Sequence, residues 1–249
     1  MESLRCVNIR KSFDGTAVLD IAALSLPLSG FVAIIGPNGA GKTTLLNVVT
    51  GFMRPDEGKI FLDDVELTRL APHRIVQAGL ARTFQELRLI SLISVLENVM
   101  LARQCQKGER LWRALTRIGV GANERANKER AMELLEFVGL AEKAHDMAGT
   151  LSYGQQKILT LACCIATDAR ILFLDEPVAG VHSQMAEKIL GLLQTLHDDG
   201  KLVFFIEHDI PAVRQIAERV IVMDHGVVIA DGPPHEVLER PEILEAYVG

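Results

Sequence analysis

The chain has 249 residues, 49% apolar and 23% charged, enough to bury a sizeable core; this excludes a disordered, collagen-like or fibrous polymer. Its 26 basic and 32 acidic residues give a net charge of −6, so no global basic field attracts nucleic acid or anionic lipid. The length fits one large domain, or one domain with a subdomain.

In chain order, residues 1 to 30, with Lys59 to Leu62, alternate apolar and polar residues between turn signals and predict a small antiparallel sheet. Phe31 to Ile35 is a compact apolar run ending at Gly36, the pattern of a buried strand, and Gly41 to Val49 follows as a helix. Residues 86 to 150 hold no convincing strand. Within them Ser94 to Ala102 and Asn127 to Val138 have helical spacing, and the Arg- and Lys-rich stretch 103 to 125 predicts a solvated helix face or loop. A long helix starts near Ser152 and runs to about Ala166. Arg170 to Leu174 and Lys201 to Ile206 are two more strand-length apolar runs. Between them Ser183 to Leu196 sets Met185, Ile189, Leu192, Leu193 and Leu196 on one side of a helix. Strand, helix, strand in that order predicts parallel pairing with right-handed crossovers. Val220 to Met223 and Val227 to Ala230, joined across Asp224-His225-Gly226, predict a late hairpin. The expected fold class is therefore α/β, with an antiparallel β subdomain and a helical insertion.

The longest apolar run, Ile158 to Ala166, is too short to cross a bilayer. The N-terminus has no charged-then-apolar signal pattern. Cys6, Cys105, Cys163 and Cys164 fit neither a zinc site nor a disulfide framework. A reduced, soluble, cytosolic chain is expected, held at any membrane by other chains.

Gly36-Pro37-Asn38-Gly39-Ala40-Gly41-Lys42-Thr43 satisfies G-x-x-x-x-G-K-[ST] between an expected strand and an expected helix. Its glycines let backbone N–H groups wrap phosphates, and the helix points its N-terminal dipole at the same anion. Lys42 adds a mobile positive charge, and the Thr43 hydroxyl suits Mg2+. The run Ile171-Leu172-Phe173-Leu174 ends in Asp175-Glu176. Asp175 can hold Mg2+ through water, and Glu176 can take a proton from an attacking water. His208 follows the strand Lys201 to Ile206, where its imidazole can reach the γ-phosphate. Leu151-Ser152-Tyr153-Gly154-Gln155-Gln156 opens the long helix with Ser152 as N-cap, a second anion-suited helix start besides that of the phosphate loop.

These pieces, in this order, resemble the ATP-binding subunit of ABC transporters over essentially the whole chain. Gly36 to Thr43 resembles the Walker A loop, with Thr44 beside it; Leu151 to Gln155, including Ser152, Gly154 and Gln155, resembles the signature motif. Asp175 and Glu176 resemble the Walker B pair, and His208 the switch histidine. Gln85, in Arg82-Thr83-Phe84-Gln85, resembles the Q-loop glutamine that senses Mg2+ and water, and Phe13, with Val18 beside it, the aromatic that stacks on adenine. Ala81 to Gln85, Tyr153-Gly154-Gln155-Gln156, Ile206-Glu207-His208-Asp209 and the ending Ala246-Tyr247-Val248-Gly249 narrow the resemblance to branched-chain amino acid importer ATPases. Urea importers share most of these traits, and lipopolysaccharide-export ATPases the ending. Two positions depart from the family pattern: Tyr153 replaces a glycine and His182 an aspartate.

The resemblance implies an ABC-type P-loop NTPase (RecA-like) core and one ATP-binding domain over 1–249. Its parts would be an antiparallel β subdomain with the Walker A core (1–85), a helical subdomain (86–150), and the signature, Walker B and switch regions (151–249). It implies ATP and Mg2+ as cofactors, and catalytic roles for Glu176, His208 and Gln85. Thr43, Gln85 and Asp175 would be the metal-side residues. It also implies integral-membrane permease subunits as partners, a solute-binding protein indirectly, no nucleic acid, and a peripheral place on the cytoplasmic side of the inner membrane. A second similar ATPase, or a second copy, would complete a head-to-tail dimer in which Ser152 faces the partner's ATP. A soluble ABC-type ATPase of DNA repair or translation would need a long coiled coil or second ATPase domain, for which 249 residues leave no room. No Asn-Lys-x-Asp guanine motif appears, which argues against a P-loop GTPase, and a small-molecule kinase would leave the signature segment without a purpose.

Overall fold

The computed structural model describes residues 3–83, 87–103, 120–241 and 243, the side chains of 120–123 excepted. Two compact units emerge: Met1–Gln85 with Arg170–Ala179 and Ala186–Gly249, and Glu86–Ala169 with Gly180–Met185.

The first unit opens with β1 (Leu4–Phe13), β2 (Thr16–Leu26), β3 (Gly30–Ile35), α1 (Lys42–Val49), β4 (Glu57–Leu62), β5 (Val65–Glu66), α2 (Pro72–Gln77) and β6 (Leu80–Arg82). An antiparallel sheet takes the order β2-β1-β4-β5. Alternation governs β1 up to Val7, with Leu4 and Cys6 buried and Arg5 and Val7 exposed; Asn8 at φ 53° then shifts the phase so that Ile9 is buried. Burial pushes the Cys6 thiol up to about 12, so it packs as a small apolar group rather than a nucleophile. Gly30, expected within the antiparallel region, instead opens β3 of the other sheet and pairs with Leu202.

The second unit contains α3 (Val95–Ala102), α4 (Val120–Val138) and α5 (Tyr153–Ala166). Ser94 caps α3 in a reciprocal box with Glu97. Buried Asn98 donates to the carbonyls of Ile90 and Ser94 at 3.1 and 2.9 Å and accepts from the Ile90 N–H at 2.9 Å, pinning the approach to α3. Helix α4 starts at Val120, earlier than the expected Asn127, so 120–125 takes the helix of the two alternatives; 104–119 lie outside the described residues. Ala131, Leu134, Leu135 and Val138 of α4 and Ile158, Leu159, Leu161 and Ala162 of α5 are buried. No strand interrupts 86–150 among the described residues; Ser94 and Met147 form an isolated bridge.

The chain returns to the first unit with β7 (Ile171–Asp175). Gly180–Met185 belong to the second unit, and the chain continues through α6 (Ser183–Asp198), β8 (Leu202–Ile206), α7 (Ile210–Ile216), β9 (Arg219–Asp224), β10 (Val227–Gly232) and α8 (Pro234–Val237). The second sheet has the order β10-β9-β3-β8-β7-β6, parallel throughout except for β10 on β9. Every residue of β3, β7 and β8 is buried, as befits strands covered on both faces. The β9–β10 turn takes His225 and Gly226 at φ 42° and 81°, the pair of positive angles that a tight hairpin needs. No helix among the described residues is long and apolar enough to span a membrane.

Candidate nucleotide site

The phosphate loop is shaped by what surrounds its glycines. A Cβ on Gly36 would stand 2.1 Å from the Met223 carbonyl oxygen, and one on Gly41 2.7 Å from that of Val18; both obstacles are backbone. Gly39, at φ 82°, faces open space and answers a conformational need instead. Gly41 caps α1 with no side-chain hydrogen bond, so the helix offers its first N–H groups to an anion. Lys42 is buried and donates from Nζ to the carbonyls of Gly36 and Pro37 at 2.6 and 2.9 Å. An ammonium has three N–H bonds, so one remains for a phosphate oxygen. Burial holds the Lys42 pKa below its ordinary value, against the opposing pull of Glu176 and Asp175.

Parallel strand order brings the acids to this loop, since β8 lies between β3 and β7. Asp175 ends β7 as a buried residue. Its Oδ2 accepts from Arg82 at 2.9 Å, and its N–H donates to the Thr83 hydroxyl at 3.2 Å. Arg82 also reaches Asn47 Oδ1 at 2.6 Å and Thr50 Oγ1 at 3.4 Å, tying the end of β6 to the last turn of α1. Glu176 has φ 51°, a left-handed conformation that costs a non-glycine residue about 1–3 kcal/mol. Its N–H donates to the Ile206 carbonyl at 3.0 Å, and its Oε1 lies 3.4 Å from His208 Nε2. A cleft of about 410 Å³ is lined by the loop from Asn38 to Thr44 and by Val18, Glu176, Ile206 and His208. Walker A loop, expected base and expected switch histidine thus share one cavity.

Gly36 and Pro37 form the entry to the loop, and Asp175, paired with Arg82, is not among the residues that line the cleft. Phe13 stands exposed at the end of β1 with the Lys11 ammonium 5.5 Å from its ring centre, apart from the cleft lining. Gln85 lies outside the described residues. Ser152, Gly154 and Gln155 belong to the second unit, at the start of α5. Ser152 Oγ accepts the Gln155 N–H while Gln155 Oε1 accepts the Ser152 N–H. That box uses the serine as an acceptor and leaves its hydroxyl proton for an anion. A Cβ on Gly154 would meet Met185 Cγ at 2.8 Å.

Both departures have structural accounts inside the second unit. The Tyr153 ring lies over Gly180, where an added Cβ would meet Cε1 at 3.3 Å; tyrosine and glycine are a matched pair. His182 Nδ1 accepts the Met185 N–H at 3.3 Å, the helix-start contact an aspartate would make. Two residues, quoted in the sequence only as motif neighbours, had no role assigned there. Arg82 closes a strand too short to show periodicity, and Glu207 follows an apolar strand much as Asp175 ends one, a signal that could have found it.

The ABC transporter family profile matches residues 19–179. The chain is 37% identical to the high-affinity branched-chain amino acid transport ATP-binding protein BraF of Pseudomonas aeruginosa, across 95% of this chain and 94% of that protein. A nucleotide-free ATP-binding cassette from an ABC transporter superposes with a TM-score of 0.86 at 33% identity, covering 100% of both chains. A dimeric ATP-binding cassette in a post-hydrolysis state, bound to ADP and Pi, superposes with a TM-score of 0.77 at 28% identity, over 93% of this chain and 98% of that one. With a phosphate loop, Glu176 and His208 around one cleft, the acid Asp175 next to Glu176, and similarity over the full length, the chain belongs to the ABC transporter ATP-binding family.

Proposed function

We propose that this ABC ATPase energises the import of branched-chain amino acids, or a similar small solute such as urea, through separate membrane subunits. The observation that carries the solute class is the near-full-length similarity to BraF, a branched-chain amino acid transport protein. On this reading 1–249 is one ABC ATP-binding domain: 1–85 the β subdomain and Walker A core, 86–150 the helical subdomain, 151–249 the signature, Walker B and switch regions. It works peripherally, on the cytoplasmic side of the inner membrane, docked to integral-membrane permease chains that receive solute from a binding protein.

In the proposed mechanism the loop N–H groups and Lys42 hold the β- and γ-phosphates. Thr43 and Asp175 supply hydroxyl and carboxylate oxygens, the donor chemistry of a hard divalent cation, and the ion pair with Arg82 keeps the Asp175 carboxylate fixed for it. Gln85 completes that side. Mg2+ bound there would spread the charge developing on the outer phosphates. Glu176 accepts the proton of the attacking water, and His208, 3.4 Å from it, hydrogen-bonds the γ-phosphate. Val18 and Phe13 take the adenine. Ser152, Gly154 and Gln155 close the site of a partner ATPase in a head-to-tail dimer.

The test is isolation from native membranes followed by reconstitution of the purified complex in vesicles. The reading expects permease chains to co-purify and labelled leucine or valine to accumulate only with ATP. Copies free of membrane subunits, or vesicles that hydrolyse ATP while moving a different solute class, would overturn it.

A further inference from the structure

We propose that Glu207 is a positioning residue that aligns Glu176 with His208 from behind the cleft. The inference rests on the reading of that pair as the hydrolytic groups. Glu207 follows β8 directly and is 2% exposed. Its Oε1 accepts the Val178 N–H at 2.9 Å, and its Oε2 accepts the His208 N–H at 3.2 Å. One carboxylate therefore grips two loops: that of Glu176, two residues before Val178, and the switch loop at His208 itself. The Glu176 N–H to Ile206 carbonyl bond, 3.0 Å, is a third tie between the same loops. On the cleft side, those loops present the Glu176 and His208 side chains 3.4 Å apart.

The chemistry explains why a carboxylate stands here. Two backbone donors need two acceptor oxygens, and a carboxylate group offers one to each, at 2.9 and 3.2 Å. A glutamine has one acceptor oxygen and would set its NH2 against the other N–H. That loosens one loop while keeping volume. Glu176 is already in a left-handed conformation, which surrounding contacts must hold in place. Freed from Val178, its loop can drift, and catalysis falls steeply with small misplacements.

The experiment uses the full-length chain with Glu207→Gln, His208→Ala, Glu176→Gln and the Glu207→Gln/His208→Ala double variant. Readouts are melting temperature, equilibrium ATP affinity and hydrolysis rate. Glu207→Gln is expected to lower kcat about ten-fold or more with ATP affinity within about two-fold, because the phosphate loop is untouched. In the His208→Ala background the same change should cost clearly less than in the wild type, since only the placement of Glu176 is then left to lose. Independent, multiplying effects would mean a merely structural tie and overturn the proposal. So would a wild-type rate in Glu207→Gln while His208→Ala and Glu176→Gln are impaired, which leaves the hydrolytic reading standing. Normal turnover in both of those would instead sink that reading and this inference with it. Should Glu207→Gln not fold, Glu207→Asp serves in the same comparison. One methylene shorter, it keeps its charge and the adjacent His208 N–H but no longer reaches Val178.

Discussion

Lys42 is buried and must also be charged to serve a phosphate, and two carbonyls at 2.6 and 2.9 Å reconcile the demands. Replacing it with alanine removes a charge-assisted contact of about 1.5–3 kcal/mol. ATP affinity should then fall about ten-fold or more, read by calorimetric titration; unchanged affinity would contradict the phosphate-loop role. Titration has a defined sign as well. Burial depresses the pKa in the free protein, whereas an anion at the same ammonium raises it. ATP binding thus takes up a proton at high pH: affinity is full below the free-protein pKa and is lost as pH rises through it towards the bound value. An NMR titration should place the free-protein Lys42 midpoint below 10.5 and move it upward with ATP. At Glu176 the expected result is different. Glu176→Gln keeps size and most hydrogen bonding but lacks the base, so binding should persist, ATP-bound dimers should accumulate, and turnover should stop. Hydrolysis at a near-normal rate in the assembled complex would rule Glu176 out as the base.

Individual strands and helices set how firmly these residues are held. The short β6 matters beyond its three residues because it places Arg82 beside Asp175, both nearly inaccessible, at 4% and 2%. The pair knits β6, β7 and α1 into the wall behind the phosphate loop. Breaking a buried ion pair from one side strands the other charge, at a cost of about 3–5 kcal/mol. Arg82→Met should therefore lower the free energy of unfolding by about that much, read as a lower denaturant midpoint, and a midpoint within error of wild type would show that Asp175 does not depend on the arginine. At the start of α5, Tyr153 and Gly180 form a second matched arrangement. The bulk that Tyr153 adds to the family pattern lies where Gly180 has no side chain.

For the whole molecule the issue is pairing. The serine-capped start of α5 has a hydroxyl proton to donate, while the phosphate loop already has its own helix, α1. A related cassette has been solved as a dimer with ADP and Pi. A Ser152→Arg chain should bind ATP at its own loop yet fail to hydrolyse it. Mixed with Lys42→Ala chains, it should regain some activity in a head-to-tail pair, because one composite site then carries both defects and the other carries neither. The mixture needs an assembly in which one intact site can turn over. If the working pair is a heterodimer, one change is placed on each ATPase. No recovery under those conditions would count against a trans role for Ser152.

Much of this was legible in the chain itself, for a physical reason. A phosphate loop is made of consecutive residues, so Gly36 to Thr43 could be read whole. Runs such as Phe31 to Ile35 announce buried strands by local hydrophobicity alone. The short elements β5, β6, α2, α7 and α8 could not be read, being two to seven residues long, too short for a period to register. The helix at 120–125 was ambiguous because Val-Gly-Ala-Asn-Glu-Arg holds no apolar period and suits a solvated helix as well as a loop. Strand order was decided only by tertiary structure. Placing β8 between β3 and β7, and β6 beyond β7, brings Arg82 to Asp175 across 93 positions and Glu207 to the Val178 N–H across 29. Local pattern states which segments seek burial, whereas the pairing of their ends follows from the crossovers and register of the folded sheet. That pairing converts scattered acids, an arginine and a histidine into one aligned site.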